Sequence, residues 1–150
     1  MLLKSMRTVT ALLAVTWPAA IAARGQDDAP KERERFQGTW TFVSVEANGK
    51  SLDDLFKDAK AVVKGNRLTL TFSGGGKLVR TFKVYTDTNP RCVDFLGADG
   101  KGEPSEGIYE LKDKRLKILV NVNSGARERP VGFDAKKKAG HIYYVVKREE

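Results

Sequence analysis

Between residues 36 and 150, apolar and polar positions alternate in short bursts, each cut off by Gly, Asn or Asp. The clearest burst is Arg67-Leu68-Thr69-Leu70-Thr71-Phe72, where Leu68, Leu70 and Phe72 fall on one face and the charged and hydroxyl residues on the other. Period-two alternation marks a half-buried strand, because successive side chains leave opposite faces. The same alternation puts Leu116, Ile118 and Val120 inward with Arg115 and Lys117 outward, and sets Tyr109 and Leu111 opposite Glu110. Eight strands are predicted: Thr39 to Glu46, Ala61 to Lys64, Arg67 to Phe72, Leu78 to Tyr85, Arg91 to Leu96, Gly107 to Lys112, Arg115 to Asn121 and Ile142 to Arg148. Explicit turn residues at Gly65-Asn66, in the run Ser73 to Lys77 and at Asp113-Lys114 join neighbours as antiparallel hairpins.

One stretch departs from this pattern. Between Ser51 and Lys60, residues Leu52, Leu55 and Phe56 stand at i, i+3 and i+4, the spacing of a short amphipathic helix with Ser51 as its N-cap. Strands in sequential hairpins with one buried face close most simply on themselves, which removes exposed edges. The fold class is therefore read as all-β: an eight-stranded antiparallel up-and-down barrel with one short helix after the first strand. A two-sheet sandwich is the competing arrangement.

Ahead of the β-region the chain changes character twice. Lys4 and Arg7 precede an uncharged run of 16 residues, Thr8 to Ala23, that ends in the small residues around Ala20-Ile21-Ala22. This is the layout of a signal peptide over residues 1–22, cleaved after Ala22 or, as second choice, after Gly25. The run contains Pro18 and is shorter than the roughly 20 apolar residues a membrane-spanning helix needs. Export to a periplasm or the cell exterior is the expectation, and an integral membrane protein is not. Residues 23–35 are polar and charged without an apolar period and read as a linker, with at most a helical turn after Pro30. The domain is placed at residues 36–150.

A resemblance emerges along this domain. Gln37-Gly38-Thr39-Trp40 at the head of the first strand is similar to the G-x-W signature of lipocalins. The segments Val43-Ser44-Val45-Glu46, Asn48-Gly49-Lys50, Gly107-Ile108-Tyr109-Glu110-Leu111, Leu116-Lys117-Ile118, Arg129-Pro130 with Phe133, and Val145 to Glu149 follow in order. Together they resemble a family of exported, lipocalin-like bacterial domains of planctomycete type. The resemblance implies the barrel, with Trp40 closing its base against a basic residue of the last strand, Arg148 or Lys147. It brings no established substrate, cofactor or catalytic residue. Where a small Gly/Ser/Pro-rich turn is expected before the last strand, this chain has Ala135-Lys136-Lys137-Lys138-Ala139-Gly140.

The content of reactive residues narrows the chemistry. A single Cys (Cys92) and a single His (His141) leave no zinc-ligand spacing and no partner for an intramolecular disulfide. His141 reads as a solvated strand-end residue; Cys92 reads as buried and inert, the alternative being a thiol free to pair between chains. Asp99 to Glu103 lacks the order of a calcium loop, and Gly74-Gly75-Gly76-Lys77 lacks the Ser or Thr that a phosphate loop requires after its Lys. No enzyme, metal or cofactor is expected.

Charge supplies one further lead. The chain carries 27 Lys and Arg against 19 Asp and Glu, a net charge of +8. Arg127, Arg129, Lys136, Lys137 and Lys138 cluster before the final strand as a candidate patch for an anionic envelope component. Nucleic acid is not an expected partner, since no aromatic-interleaved basic motif is present. The preferred function is binding of a small apolar or amphipathic ligand inside the barrel of a monomer, with Trp40, Phe42, Leu70, Phe82, Tyr109, Leu116, Ile118 and Tyr144 as lining candidates. The alternative is a protein- or envelope-interaction module, in which the barrel is filled by side chains and the loops 97–106 and 122–140 make the contacts.

Overall fold

The eight segments with period-two patterning are strands, and their pairing runs round a closed circuit. The computed structural model describes residues 29–123 and 128–150. Its elements are α1 (Ala29–Phe36), β1 (Gly38–Ala47), β2 (Lys50–Ser51), α2 (Asp53–Phe56), β3 (Lys60–Lys64), β4 (Arg67–Thr71), β5 (Lys77–Tyr85), β6 (Arg91–Leu96), β7 (Ser105–Lys112), β8 (Arg115–Asn121), a 3-10 helix (Phe133–Lys137) and β9 (His141–Arg148). The two-residue β2 only folds back on the end of β1, pairing Ala47 with Lys50. The other eight strands pair antiparallel in chain order from β1 to β9, and β9 pairs again with β1. This is a closed up-and-down barrel, not a sandwich.

Cross-strand partners share a face, so the register fixes which side chains point inward. Trp40 pairs with Arg148 and Phe42 with Val146, after which the register shifts between Phe42 and Ser44. The bulge leaves Val43 exposed and returns Val45 to the inner face opposite Tyr144. One extra residue thus keeps both halves of a ten-residue strand amphipathic despite a local bend.

The two ends of the barrel are built differently. At one end β1, β6 and β8 begin and β7 and β9 finish, and α1 leads directly into it. Residues 23–35 are therefore not simply a linker: the eight residues from Ala29 form a helix that packs beneath the barrel and belongs to the domain. Phe36 at its end meets Phe82 and Tyr109 with ring centroids 5.5 and 5.0 Å apart. The last four carbonyls of a helix lack intrahelical partners. Here the Arg33 and Glu34 carbonyls accept from the Gln37 side-chain and backbone N–H, that of Arg35 from Arg148, and that of Phe36 from Trp40 Nε1 at 2.8 Å. At about 1 kcal/mol for each hydrogen bond, these caps offset the poor amphipathicity of the helix.

At the opposite end β5, β7 and β9 begin and β8 finishes, with α2 beside the exit of β1. The helix α2 is shorter than predicted and Ser51 is not its cap. Ser51 lies in β2, its hydroxyl accepts only a long contact from the Asp53 N–H, and Asp53 itself accepts a 2.8 Å bond from Val45 N–H. Leu55 points into solvent, whereas Phe56 packs on Phe42, Phe72 and Tyr144.

A second apolar cluster lies on the outside of the wall. Cys92, Ile108 and Leu119 point outward from β6, β7 and β8 and are covered by Ala135 and Phe133 of the 3-10 helix, with Tyr143 alongside. His141 is buried near this covering segment, 7% exposed, with Nδ1 3.1 Å from the Ala139 carbonyl. It is not the solvated residue expected from its position at a strand end, because the chain between β8 and β9 folds back over the wall.

Candidate functional site: an apolar cavity open at one end

Inside the barrel is a cavity of about 390 Å³. Seven of the eight predicted lining residues border it: Trp40, Phe42, Leu70, Phe82, Leu116, Ile118 and Tyr144. The exception is Tyr109, which is 1% exposed and turned to the closed end, where its hydroxyl donates to Glu32 Oε1 at 2.9 Å. Parity explains the lining residues that were not singled out. Once Cys92 and Asp94 are placed on one face of β6, Val93 and Phe95 occupy the other, and both border the cavity, as do Val63 and Leu68 from β3 and β4. The aromatic side chains narrow the interior without filling it.

The closed floor is held by a buried carboxylate. Glu32 is 6% exposed and receives Tyr109 Oη, Arg91 Nη1 at 2.9 Å and Arg35 Nη1 at 3.0 Å, while Arg35 also donates to the Leu111 carbonyl. Burial alone would raise the Glu32 pKa, but the Tyr109 hydroxyl and the two guanidinium groups outweigh it and hold the carboxyl below its usual range. Over the same floor the Arg148 guanidinium carbon lies 4.8 Å from the Trp40 ring centroid, within cation–π reach. Gly38 begins β1 at φ +119°, a conformation that favours glycine, and a Cβ there would meet the Arg148 side chain at 3.7 Å. The G-x-W spacing therefore serves the turn from α1 into β1 and the seating of Arg148.

The other end is open. Leu78, Arg80 and Val122 border the cavity and are exposed to solvent, which places them at its mouth with the half-buried Ser105. Among the described residues that border the cavity Arg80 is the only charged one, and the walls are otherwise almost wholly aliphatic and aromatic. Its inward direction was legible, since Leu78, Arg80, Phe82 and Val84 share one parity of β5. Tyr144 also faces the cavity, and its hydroxyl makes no hydrogen bond among the described residues; burial pushes its pKa up. A hydroxyl within an apolar wall gains from any polar group that reaches it.

The basic cluster does not form a continuous free patch. Arg129 donates to Asp94 at 2.7 Å and to the Val93 and Gly107 carbonyls, with Glu106 at 3.5 Å, so it ties the returning loop to the outer wall. Burial would lower its pKa, but Asp94 leads the groups that leave it raised. Lys136 sits 3.7 Å from Glu46 and over the Tyr143 ring. Lys137 and Lys138 are exposed, and Arg127 lies outside the described residues.

A hollow of about 440 Å³ beside α2 is polar, and its Asp53 is already engaged by Val45. Among the described residues no three His, Cys, Asp or Glu side chains converge to hold a metal ion, and no helix is long and apolar enough to cross a membrane. Fold and site thus define a closed eight-stranded β-barrel with one sealed end, one open end and an apolar interior. In comparisons with protein-family models, curated proteins and solved structures, no match to this chain was found.

Proposed function

We propose that this chain is an exported, lipocalin-like barrel that carries a small apolar or amphipathic molecule without catalysing its conversion. The observation that carries this reading is the 390 Å³ cavity, lined by aliphatic and aromatic side chains and open where Leu78, Arg80 and Val122 are exposed. Ligand sites of this kind are concave, largely apolar and a few hundred Å³ in size, with a small number of polar groups that orient the occupant. The signal-peptide pattern of residues 1–22 and the G-x-W resemblance support export and family respectively. The use of Arg129 and Lys136 within the fold weighs against the interaction-module alternative.

Native mass spectrometry of mature protein, purified without detergent from its host's envelope fraction, tests the proposal. A discrete adduct that is lost on denaturation is the expected result. A bare mass in repeated preparations, with no uptake of N-phenyl-1-naphthylamine measured by its fluorescence, would overturn it.

A further inference from the structure

Building on the carrier reading, the arrangement at the mouth narrows the class of ligand. Among the described residues the wall of the cavity offers one formal charge, Arg80, and that side chain meets no carboxylate among them. Its only hydrogen bond among the described residues is a 3.2 Å contact from Nη1 to the carbonyl of the adjacent Val79. This contrasts with Arg35, Arg91 and Arg129, each of which meets a carboxylate of the protein. The contrast is one of position: Arg80 extends from a strand position whose parity neighbours, Leu78 and Phe82, both border the cavity. A guanidinium at the rim of an apolar chamber presents a fork of donors to whatever group ends there.

We propose that the occupant is a single-tailed amphiphile with a carboxylate head, the head paired with Arg80 at the mouth and the tail lying along the apolar wall. One guanidinium matches the single charge of a carboxylate, whereas a phosphate monoester brings between one and two charges near neutral pH. The volume, toward the lower end of the range for small-molecule sites, suits one tail and not a two-chain lipid. Deeper in the wall, the Tyr144 hydroxyl, without a hydrogen bond among the described residues, offers a second polar contact to a chain that carries a hydroxyl or keto group.

Isothermal titration calorimetry on the mature protein tests this, with dodecanoate, dodecanol and dodecyltrimethylammonium as probes below their critical micelle concentrations. Wild type is expected to bind dodecanoate at least tenfold more tightly than dodecanol, and the cation most weakly. Arg80→Gln should remove that tenfold preference; Arg80→Lys should keep part of it, and Arg80→Glu should favour the cation. The side chain is exposed, so all three variants should melt with the wild type. Equal affinity of wild type for dodecanoate and dodecanol, or an unchanged preference in Arg80→Gln, would overturn the carboxylate assignment while leaving the carrier intact. Failure of all three probes to bind would overturn the carrier reading and this inference with it.

Discussion

Two tyrosines mark the difference between the ends of the barrel. Tyr109, at the closed end, is fully buried and its hydroxyl bonds to a carboxylate that two arginines also hold. Tyr144, toward the open end, is packed among Phe42 and Phe56, yet its hydroxyl has no partner among the described residues. At the floor, a helix of poor amphipathicity is kept in place because each of its last four carbonyls is met by Gln37, Arg148 or Trp40. At the mouth, a guanidinium meets no carboxylate and a phenol no hydrogen-bond partner among the described residues. Polar groups satisfied within a fold stabilise it, and polar groups left over in an apolar cavity are available to a ligand.

Substitutions at the two ends should therefore separate stability from binding. The largest loss is expected for Trp40→Ala, about 4 kcal/mol in urea denaturation, from a buried indole that also caps α1 and supports Arg148. A loss below about 1 kcal/mol would mean that the floor is not the anchor described here. Glu32→Gln should cost about 2 kcal/mol, because Arg35, Arg91 and Tyr109 lose their shared anion. The cost stays below that of a fully buried ion pair because both arginines are partly exposed.

The Glu32 contribution carries a pH signature. Its folded pKa lies below that of the unfolded chain, so its stabilisation is complete above about pH 4.3 and is lost as the pH falls through the folded value. Melting curves of wild type and Glu32→Gln should converge in acid, and a gap independent of pH would contradict the network. Tyr109 acts in the opposite direction. Burial and its bond to Glu32 raise its pKa, so its stabilisation holds below about pH 10 and declines above it.

Smaller effects sharpen the comparison further. Tyr109→Phe should cost about 1.5 kcal/mol and Tyr144→Phe less than about 0.5, since among the described residues only the first hydroxyl has a partner to lose. Equal costs would erase the distinction between the ends. At the mouth, Leu78→Asp and Val122→Asp should shift stability by less than about 0.5 kcal/mol. Both should nevertheless weaken dodecanol binding about fivefold, read by calorimetry, or about 1 kcal/mol.

The barrel was legible because alternation is a local signal: Leu68, Leu70 and Phe72 declare their common face within six residues. Of the floor, the resemblance implied the contact of Trp40 with Arg148, but the helix and its Glu32 network were not legible, because α1 reads as APKERERF and its partners lie far along the chain, Arg148 being 113 residues from Arg35. A buried Glu in such a segment has no local signature. The outer cluster did leave one. Ile118-Leu119-Val120 is apolar without a break, the pattern of a strand covered on both faces, and Leu119 is indeed buried beneath the returning loop. His141 and Arg129 were misjudged for the same reason, since their surroundings exist only once that loop is folded back. At the site, parity placed seven lining residues, whereas the void between them depends on how the aromatic rings pack across the barrel, which no spacing encodes.

The central claim is that one end of this barrel binds while the other only holds the fold. Residue-resolved NMR of the protein, titrated with dodecanoate, tests it most directly. Shifts at Leu78, Arg80, Ser105 and Val122 around the mouth and at Leu70, Phe82, Ile118 and Tyr144 along the wall, with the signals of Glu32, Gly38 and Tyr109 unmoved, are predicted. Shifts centred on α1, or on Lys137 and Lys138 of the outer loop, would contradict it.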